Sequence, residues 1–328
     1  MNATAIQAGF FTTVQDLGRP GMRLFGVSLG GALDSHGLRV ANLLVGNQES
    51  AAGLETTFGG LRLRFADERI VVWCGGGFNV RIGSTSLAAG HPAFVCRSEE
   101  LSIETPTIGC RAWVAISGGI DVPVVLGSRS ADWRAGFGGV KGRPVRDGEE
   151  FSLEENPKRA TILIDKLRSR RIAAWKPPHQ WSAPARREPV LRYVRGSDCG
   201  RFVPSTLHRF NSENFLVSPD SDRMGIRLDG AELERSDNLD LLSEAVAPGT
   251  IQVPPSGKPI LLLNDCQTIG GYPKLAHVIT VDLALAAQLR PGDRVRFTEV
   301  SLAEAHRLLC ERERDLDQFR RGLESHFV

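Results

Sequence analysis

The sequence predicts a mainly β protein with two barrel-like units, a few helices and a C-terminal helix. Short apolar runs at residues 70–74 and 112–116 end in glycine clusters, which is typical of strands followed by turns. The 328 residues include 35 glycines and 18 prolines, which interrupt such runs as they do in barrels and sandwiches. Charged turns precede strand-like segments at residues 146–153 and 291–297, so two similar sheets are expected to end there.

Three segments have helical features. Ser35–Leu44 has apolar residues at helical spacing, and either Asp34 or Ser35 fits as its N-cap. The segment at residues 301–323 is predicted to be the longest helix, because Ser301 and Glu304 form a capping box before an apolar stripe. Residues 277–289 fit a helix or a strand equally well at their start, because several β-branched residues lie there.

The chain length favours two domains. We predict an N-terminal β-barrel-like domain at residues 1–175 and a C-terminal β-barrel domain at residues 190–328 that ends in a helix. The Pro-rich stretch 176–189 is interpreted as the linker between them. The short basic cluster at residues 168–171 is interpreted as a solvated face beside that linker.

Composition excludes several classes of protein. Hydrophobic residues make up 41% and charged residues 24% of the chain, as in a soluble globular protein. The net charge of +2 comes from interspersed charges and argues against nucleic-acid binding. The six cysteines form no Cys-x-x-Cys pair, so we predict no metal site and expect reduced thiols in the cytoplasm. Neither a signal peptide nor a membrane-spanning run is recognisable.

The segment at residues 264–274 has the densest set of chemically useful side chains. It follows the apolar run 259–263, a predicted strand, and it includes Gly270 and Gly271, which permit positive φ and close backbone approach. Strict alternation along the strand would direct Asp265 and Gln267 to one face. The candidate catalytic residues are a carboxylate, an amide, a hydroxyl and a phenol, namely Asp265, Gln267, Thr268 and Tyr272. A strand followed by a tight turn is the structural alternative for such a segment.

Two other strings combine charged and amide side chains. Gln15, Asp16 and Arg19 place an amide, a carboxylate and a guanidinium between glycine turns, and Arg19 could present its fork to a carboxylate. An internal Asp16–Arg19 ion pair that holds the loop is an equally good interpretation. Asp222 and Arg223 pose the same choice, and the residues that follow them favour a structural pair.

Glycine turns near Gly119, Gly127 and Gly271 are candidate anion nests, to which Ser128 and Ser130 would add hydroxyl donors. The chain contains no Gly-x4-Gly-Lys-Ser/Thr string and no Gly-x-Ser-x-Gly elbow, which excludes a self-contained P-loop ATPase and leaves a serine hydrolase without an anchor. None of the three methionines precedes a lysine, so a biotin attachment site is absent.

Seven further strings accompany residues 264–274, and we refer to all eight as the signature strings. The seven lie at residues 13–21, 30–34, 41–47, 118–120, 127–130, 221–225 and 249–255. From about Gly9 to about Phe297, their order and spacing closely resemble the biotin-dependent carboxyltransferase family. That family includes the C subunit of bacterial 5-oxoprolinase, the KipI antagonist and the second carboxyltransferase segment of urea carboxylase. The departures at Leu33, Ala131 and Ile269 are conservative in size.

The resemblance implies cyclophilin-like β-barrels and a component of an ATP-dependent 5-oxoprolinase that opens 5-oxoproline to glutamate. The implied partners are a KipI-like B subunit, which would share the site, and a lactam-hydrolase-like A subunit. ATP would be bound by a partner or shared with it, and no biotin would be attached to this chain. Besides the catalytic candidates, the substrate-binding candidates are Gln15, Arg19, Asp34, Ser128, Arg223, Gly270 and Gly271.

Two alternatives stay open at this level. One is true carboxyl transfer from carboxybiotin to an amide substrate such as urea, with biotin and ATP chemistry supplied by other chains. The other is a non-enzymatic binding protein like the KipI antagonist. The sequence decides neither the substrate nor the stoichiometry.

Overall fold

The computed structural model describes residues 1–237 and 241–327. Helices account for 22% and strands for 30% of the residues, which confirms the predicted mainly β class. The chain forms two compact units, each built from separate segments. The first unit comprises Met1–Gly18, Gly30–Ala185 and Asp315–Val328, and the second comprises Arg19–Leu29 and Arg186–Arg314. The chain passes from the first unit to the second at Ala185, which lies inside the predicted linker. Composition did not predict that Arg19–Leu29 belongs to the second unit or that Asp315–Val328 belongs to the first.

The described part of the first unit contains a seven-stranded and a five-stranded antiparallel sheet that share one apolar core. The sequence predicted one barrel-like unit here, and the structure builds that unit from two separately hydrogen-bonded sheets. The elements are β1 (Asn2–Ala8), β2 (Phe11–Gln15), α1 (Ser35–Leu44), β3 (Gly53–Thr57), β4 (Leu61–Phe65), β5 (Arg69–Gly75), β6 (Val80–Ile82), β7 (Thr85–Ser86), β8 (Ala93–Val95), β9 (Glu100–Ile103), β10 (Arg111–Ile116), β11 (Ile120–Asp121), β12 (Glu149–Leu153), α2 (Lys158–Leu167) and α3 (His179–Ser182).

Burial along the strands of the first unit follows from which faces are covered. In β4 the apolar Leu61, Leu63 and Phe65 are buried and the intervening Arg62 and Arg64 are exposed, as expected for a sheet with one solvated face. The central strands β5 and β10 of the five-stranded sheet are buried along their whole length, because α1 packs on the face opposite the shared core.

The second unit contains a closed barrel of seven strands. In order around the barrel they are β13 (Val190–Arg195), β20 (Lys274–Val278), β17 (Thr250–Gln252), β18 (Ile260–Leu262), β15 (Gly225–Asp229), β14 (Phe215–Val217) and β21 (Arg294–Glu299). Strand β21 pairs in parallel with β13 and antiparallel with β14, and so closes the barrel, as residues 291–297 predicted. Phe210 stacks on Phe297 at 4.5 Å in the aromatic core. The other α-helices and strands described between residues 190 and 300 are α4 (Pro204–Ser212), β16 (Glu244–Ala245), β19 (Ile269–Gly270) and α5 (Leu283–Ala286).

The helix predictions with clear capping signals are confirmed. Asp34 caps α1 by accepting the Gly37 backbone N–H at 2.8 Å. The helix α6 (Leu302–Leu323) is the longest among the described residues, and Ser301 Oγ accepts the Glu304 N–H at 3.1 Å before its start. Residues 277–289 finish strand β20 and continue through a 3-10 turn into the short α5. None of the described helices has the length and apolar character needed to cross a bilayer.

The Pro-rich stretch 176–189 is partly packed rather than fully solvated. It contains α3, where the Trp181 ring makes edge contacts with His36 at 4.9 Å and Phe319 at 5.6 Å, all within the first unit. In the neighbouring basic cluster, Arg168 and Arg170 are exposed as predicted, and Arg168 pairs with the half-buried Glu68 at 2.7 Å. Arg171 is half-buried and pairs with Glu99, so the cluster is only partly solvated.

The barrel core predicts a large difference between two adjacent residues of β14. Phe215 is fully buried against Phe210 and Phe297, whereas Leu216 is 44% exposed. We expect Phe215→Ala to lower the free energy of unfolding by about 3–5 kcal/mol, because it leaves a cavity in an aromatic core. The matched control Leu216→Ala should cost about 0.5 kcal/mol or less. Urea unfolding followed by circular dichroism measures both, and equal losses would contradict the described barrel core.

Candidate functional site

The predicted site residues are divided between the two units, and each group is described within its own unit. The second unit contains Arg19, Arg223, Asp265, Gln267, Thr268, Gly270, Gly271 and Tyr272. The first unit contains Gln15, Asp34 and Ser128. The signature string at residues 264–274 therefore forms its site with other parts of the second unit.

The loop at residues 264–272 begins earlier than the sequence predicted. Strand β18 ends at Leu262, so the alternation that should have placed Asp265 and Gln267 on one face no longer applies. Asp265 is buried and Gln267 is exposed, which corrects that prediction. The loop then re-enters a short ladder, in which β19 pairs with β16 and the Thr268 carbonyl accepts the Val246 N–H at 3.1 Å.

A buried ion pair holds the start of this loop. Arg223 Nε and Nη2 donate to the two carboxylate oxygens of Asp265 at 2.8 and 3.1 Å, and the side chains are only 4% and 6% exposed. The Asp265 N–H also donates to the Arg223 carbonyl at 3.2 Å. Asp222 instead accepts the Met224 N–H at 2.7 Å, so the structural pair that the sequence favoured at Asp222–Arg223 forms with Asp265. Asp265 thus holds the loop to the turn before β15, and its catalytic role stays a prediction.

The two glycines of the loop serve close approach rather than an unusual backbone conformation. Neither Gly270 nor Gly271 has a positive φ, which corrects the expectation from the sequence. A Cβ on Gly270 would lie 2.8 Å from the Gln252 amide nitrogen, so a larger residue there would displace the end of the Gln252 side chain. A Cβ on Gly271 would lie 3.3 Å from the Leu241 carbonyl, a tight contact that small shifts can relieve.

Gln252 is a site residue that sequence reasoning missed. It is buried in β17, where its Nε2 donates to the Tyr272 carbonyl at 3.1 Å and its Oε1 accepts from Gln267 Nε2 at 3.3 Å. An amide in an otherwise apolar strand within the signature string 249–255 was the available signal. Gln252 thus connects the barrel wall to both ends of the exposed part of the loop.

Lys274, at the end of the loop, is a second site residue that sequence reasoning missed. Its buried ammonium group lies 2.6 Å from Glu244 and 3.4 Å from Asp198. Burial alone would lower the pKa of Lys274, but hydrogen bonds with the Glu244 and Asp198 carboxylates raise it above its ordinary value. Burial, together with the Lys274 charge, lowers the pKa of His277, whose Nδ1 lies 3.1 Å from Thr250 Oγ1. Lys274 therefore stays charged, and its charge is balanced by two carboxylates at the end of the loop.

Arg23 fixes the middle of the loop from the 3-10 helix Met22–Phe25 of the same unit. Its guanidinium donates to the Gln267 carbonyl at 3.0 Å and to the Val246 carbonyl, and lies 3.9 Å from Cys266 Sγ. Burial raises the pKa of the Cys266 thiol, and Arg23 offsets only part of that effect. Cys266 is therefore a neutral core thiol at neutral pH rather than a nucleophile.

The outer surface of the loop presents hydrogen-bonding groups. Gln267 is exposed, Thr268 is half-buried, and Tyr272 is 47% exposed while its carbonyl is held by Gln252. An amide, a hydroxyl and a phenol on a well-supported loop can bind and polarise a carbonyl oxygen. The roles of Gln267, Thr268 and Tyr272 in catalysis stay predictions.

In the first unit, Ser128 supports the fold around Asp16. Ser128 Oγ and Ser130 Oγ donate to Asp16 Oδ1 at 2.6 and 2.5 Å, and the Arg129 N–H donates to Asp16 Oδ2 at 2.6 Å. These donors form the nest that the sequence predicted near Gly127, but an internal carboxylate occupies it. Ser128 is buried and has no hydroxyl proton left to offer a substrate.

Gln15 and Asp34 are also buried in the first unit. Gln15 Nε2 donates to Thr13 Oγ1 at 3.0 Å and to the Ala131 carbonyl at 3.3 Å, while its Oε1 has no hydrogen-bond partner among the described residues. Asp34 acts as the N-cap of α1. Arg19, in the second unit, is fully buried, and its backbone N–H donates to the Leu29 carbonyl at 2.8 Å. Substrate binding by these residues stays a prediction.

Comparison with known proteins finds relatives in the family that the signature strings resemble. A protein of Escherichia coli (strain K12), named as the C subunit of 5-oxoprolinase, is 36% identical over 313 residues, which cover 95% of this chain and 96% of that protein. A protein of the same name from Haemophilus influenzae is 35% identical over 310 residues, with 94% of each chain covered.

Solved structures extend the comparison to the fold. The crystal structure of the K. lactis urea amidolyase superposes with a TM-score of 0.86 at 27% identity, covering 97% of this chain and 20% of that one. The chain thus spans about a fifth of that protein's length.

The family model described as "Carboxyltransferase domain, subdomain A and B" matches residues 25–299. This match covers most of the chain, and two relatives share more than a third of their residues with it along almost their whole length. The chain therefore belongs to the family of the carboxyltransferase domain, subdomains A and B.

Proposed function

We propose that this chain is the C-like subunit of a cytoplasmic, ATP-dependent 5-oxoprolinase. In this proposal it opens 5-oxoproline to glutamate together with a KipI-like B subunit and a lactam-hydrolase-like A subunit. One observation carries the proposal: the identity of 35–36% to two proteins named as C subunits of 5-oxoprolinase extends over at least 94% of both chains.

The loop at residues 264–272 supplies the chemistry that we propose for this chain. The lactam carbonyl of 5-oxoproline must be held and polarised before water can add to it. Gln267, Thr268 and Tyr272 offer an exposed amide, a hydroxyl and a phenol for that purpose. The Lys274 ammonium group pairs with Glu244 and Asp198 and so holds the end of the loop in place. Asp265 and Gln252 are positioning residues that hold the loop.

The glycine turns of the first unit fit a nucleotide phosphate poorly. The donors near Gly127 bind Asp16, the Gly118 N–H donates to Asn47 Oδ1 at 2.8 Å, and the Gly119 N–H donates to the Ile116 carbonyl at 2.9 Å. A phosphate would need such donors to be free. This supports the part of the proposal in which ATP is bound by a partner chain or shared with one.

The structural likeness to urea amidolyase favours a second candidate, carboxyl transfer to an amide such as urea. Ring opening breaks the C–N bond at the carbonyl carbon and carboxyl transfer forms a bond at the amide nitrogen, but donors that hold the amide carbonyl oxygen can serve both, so the loop alone does not separate them. A KipI-antagonist-like binding protein is a third candidate. The identity of the proteins that co-purify with the chain discriminates among these candidates.

Reconstitution tests the proposal directly. The isolated chain should show no 5-oxoproline-dependent ATP hydrolysis, because it lacks a nucleotide motif and its partners. Mixed with the B-like and A-like subunits, it should release glutamate and phosphate from 5-oxoproline and ATP. Strong activity of the isolated chain would contradict the proposal. So would a complete mixture that instead consumes urea with bicarbonate and a biotin carrier.

Removing the Gln267 side chain tests the proposed chemistry of the loop. We expect Gln267→Ala to lower turnover of the reconstituted complex by roughly 10²-fold, the scale of losing one positioned donor. Stability should change by about 1 kcal/mol, since the exposed side chain makes one hydrogen bond, with Gln252. Gln7→Ala, at an exposed position in the first unit, is the matched control and should leave turnover unchanged. Unchanged turnover of the Gln267 variant would remove this residue from the site.

Asp265→Asn tests whether the buried pair supports the loop. The substitution leaves the Arg223 guanidinium buried beside a neutral amide, so we expect a loss of about 3–5 kcal/mol in the free energy of unfolding. The double variant Asp265→Asn/Arg223→Met should recover part of that loss, because no buried charge is left unpaired. Urea unfolding of the three proteins provides the measurement. A stable single variant with greatly reduced turnover would instead make Asp265 a catalytic residue.

A further inference from the structure

Three of the signature strings meet around one cavity of the first unit. They are residues 41–47, 118–120 and 127–130, and in the first unit all three contribute to the wall of one cavity of about 770 Å³. Cavities of this size accommodate small organic molecules. Strings this far apart in the chain meet around a shared space, so that space is a candidate binding site.

The walls of this cavity are held rigidly from beneath. The Asn47 amide donates to the Ile116 carbonyl at 2.8 Å and accepts the Gly118 N–H at 2.8 Å, which fixes one wall. The fully buried Arg69 donates to the Glu154 carbonyl at 2.7 Å and to Asn156 Oδ1 at 3.3 Å, which fixes the segment leading into α2. Binding sites with such support lose little order when a ligand enters.

Arg129 lines the cavity, and one nitrogen of its guanidinium group is available to a ligand. Its backbone N–H is anchored by Asp16, and its Nε donates to the Val122 carbonyl at 3.0 Å. Its Nη2 pairs with Glu154 at 2.6 Å and with the exposed Asp121 at 3.4 Å. Its Nη1 has no hydrogen-bond partner in the part of the chain that the structure describes. Glu154 is half-exposed, so this ion pair contributes little and can share the guanidinium with another carboxylate.

Two opposite charges on the same wall are not neutralised. Lys158 and Glu155 line the cavity on either side of Pro157, and neither makes an ion pair or side-chain hydrogen bond with any described residue. The other charged groups of the lining have partners, including Arg320 with Glu49 at 3.5 Å. The cavity therefore offers a cation, a carboxylate and a free guanidinium edge on fixed segments.

We propose that this cavity binds an acidic α-amino acid. Lys158 holds the α-carboxylate, Glu155 the ammonium group and Arg129 Nη1 the side-chain carboxylate. An organic acid without an ammonium group leaves Glu155 unpaired, and an amine without an α-carboxylate leaves Lys158 unpaired. The proposal does not rest on the proposed function, because the binding residues belong to the first unit and need no partner chain or ATP.

Calorimetric titration of the purified full chain tests this with three matched probes. Glutarate is L-glutamate without its ammonium group, and 4-aminobutyrate is L-glutamate without its α-carboxylate. We expect L-glutamate to bind at least about tenfold more tightly than either, the usual effect of losing one charge-assisted contact. Equal affinity for glutarate and L-glutamate overturns the amino-acid assignment, and absence of saturable binding at millimolar L-glutamate overturns the site.

Two variants assign the contacts. Lys158→Met should weaken L-glutamate binding about tenfold and leave 4-aminobutyrate unchanged, whereas Glu155→Gln should weaken L-glutamate about tenfold and leave glutarate unchanged. Both residues lie at the surface, so both variants should keep the thermal midpoint of the parent. Lys166→Met, on the same helix but outside the cavity lining, is the control and should bind all three probes normally. Variants that bind L-glutamate as the parent does overturn the proposal.

Discussion

The ion pair between Arg223 and Asp265 is the interaction on which the candidate site in the second unit depends. It joins the turn before β15 to the loop that follows β18, and it excludes water from both charges. A buried pair of this kind adds little net stability compared with apolar packing, but it is costly to break on one side only. That asymmetry restricts the loop to one conformation, which is what a binding loop with several exposed polar groups requires.

The same principle recurs in other parts of the molecule. Asp16 gathers two serine hydroxyls and a backbone N–H, Arg69 gathers backbone carbonyls, and Lys274 is balanced by two carboxylates. In each case a buried charge is satisfied by groups from separate segments and therefore fixes those segments relative to one another within one unit. Much of the polar content of the signature strings serves this purpose, and fewer residues remain for direct contact with a substrate than the strings suggest.

The sequence predicted those features that depend on neighbouring residues. The caps at Asp34 and Ser301 and the closing strand β21 follow from local spacing, and the structure confirms them. The partner of Arg223 lies 42 positions away, so no local rule could prefer Asp265 over the adjacent Asp222. Gly270 was chosen for the wrong reason, because its backbone has no positive φ and its close neighbour is Gln252 on another strand. Lys274 and Gln252 likewise acquire meaning only once the barrel brings their partners close.

The discontinuous make-up of the first unit has a consequence for gene architecture. Strand β1 near the N-terminus and the end of α6 both belong to the first unit, whose core includes Leu316 and Leu323. A fragment cut at Ala185 would lose those side chains, so the two units are poor candidates for separate expression. In a longer polypeptide that contains this module, both connections to the rest of the chain would be made from the first unit, and the barrel would be an insertion within that unit's sequence. Such an arrangement suits fusion, and the urea amidolyase chain, which accommodates 97% of this one in a fifth of its length, is an example.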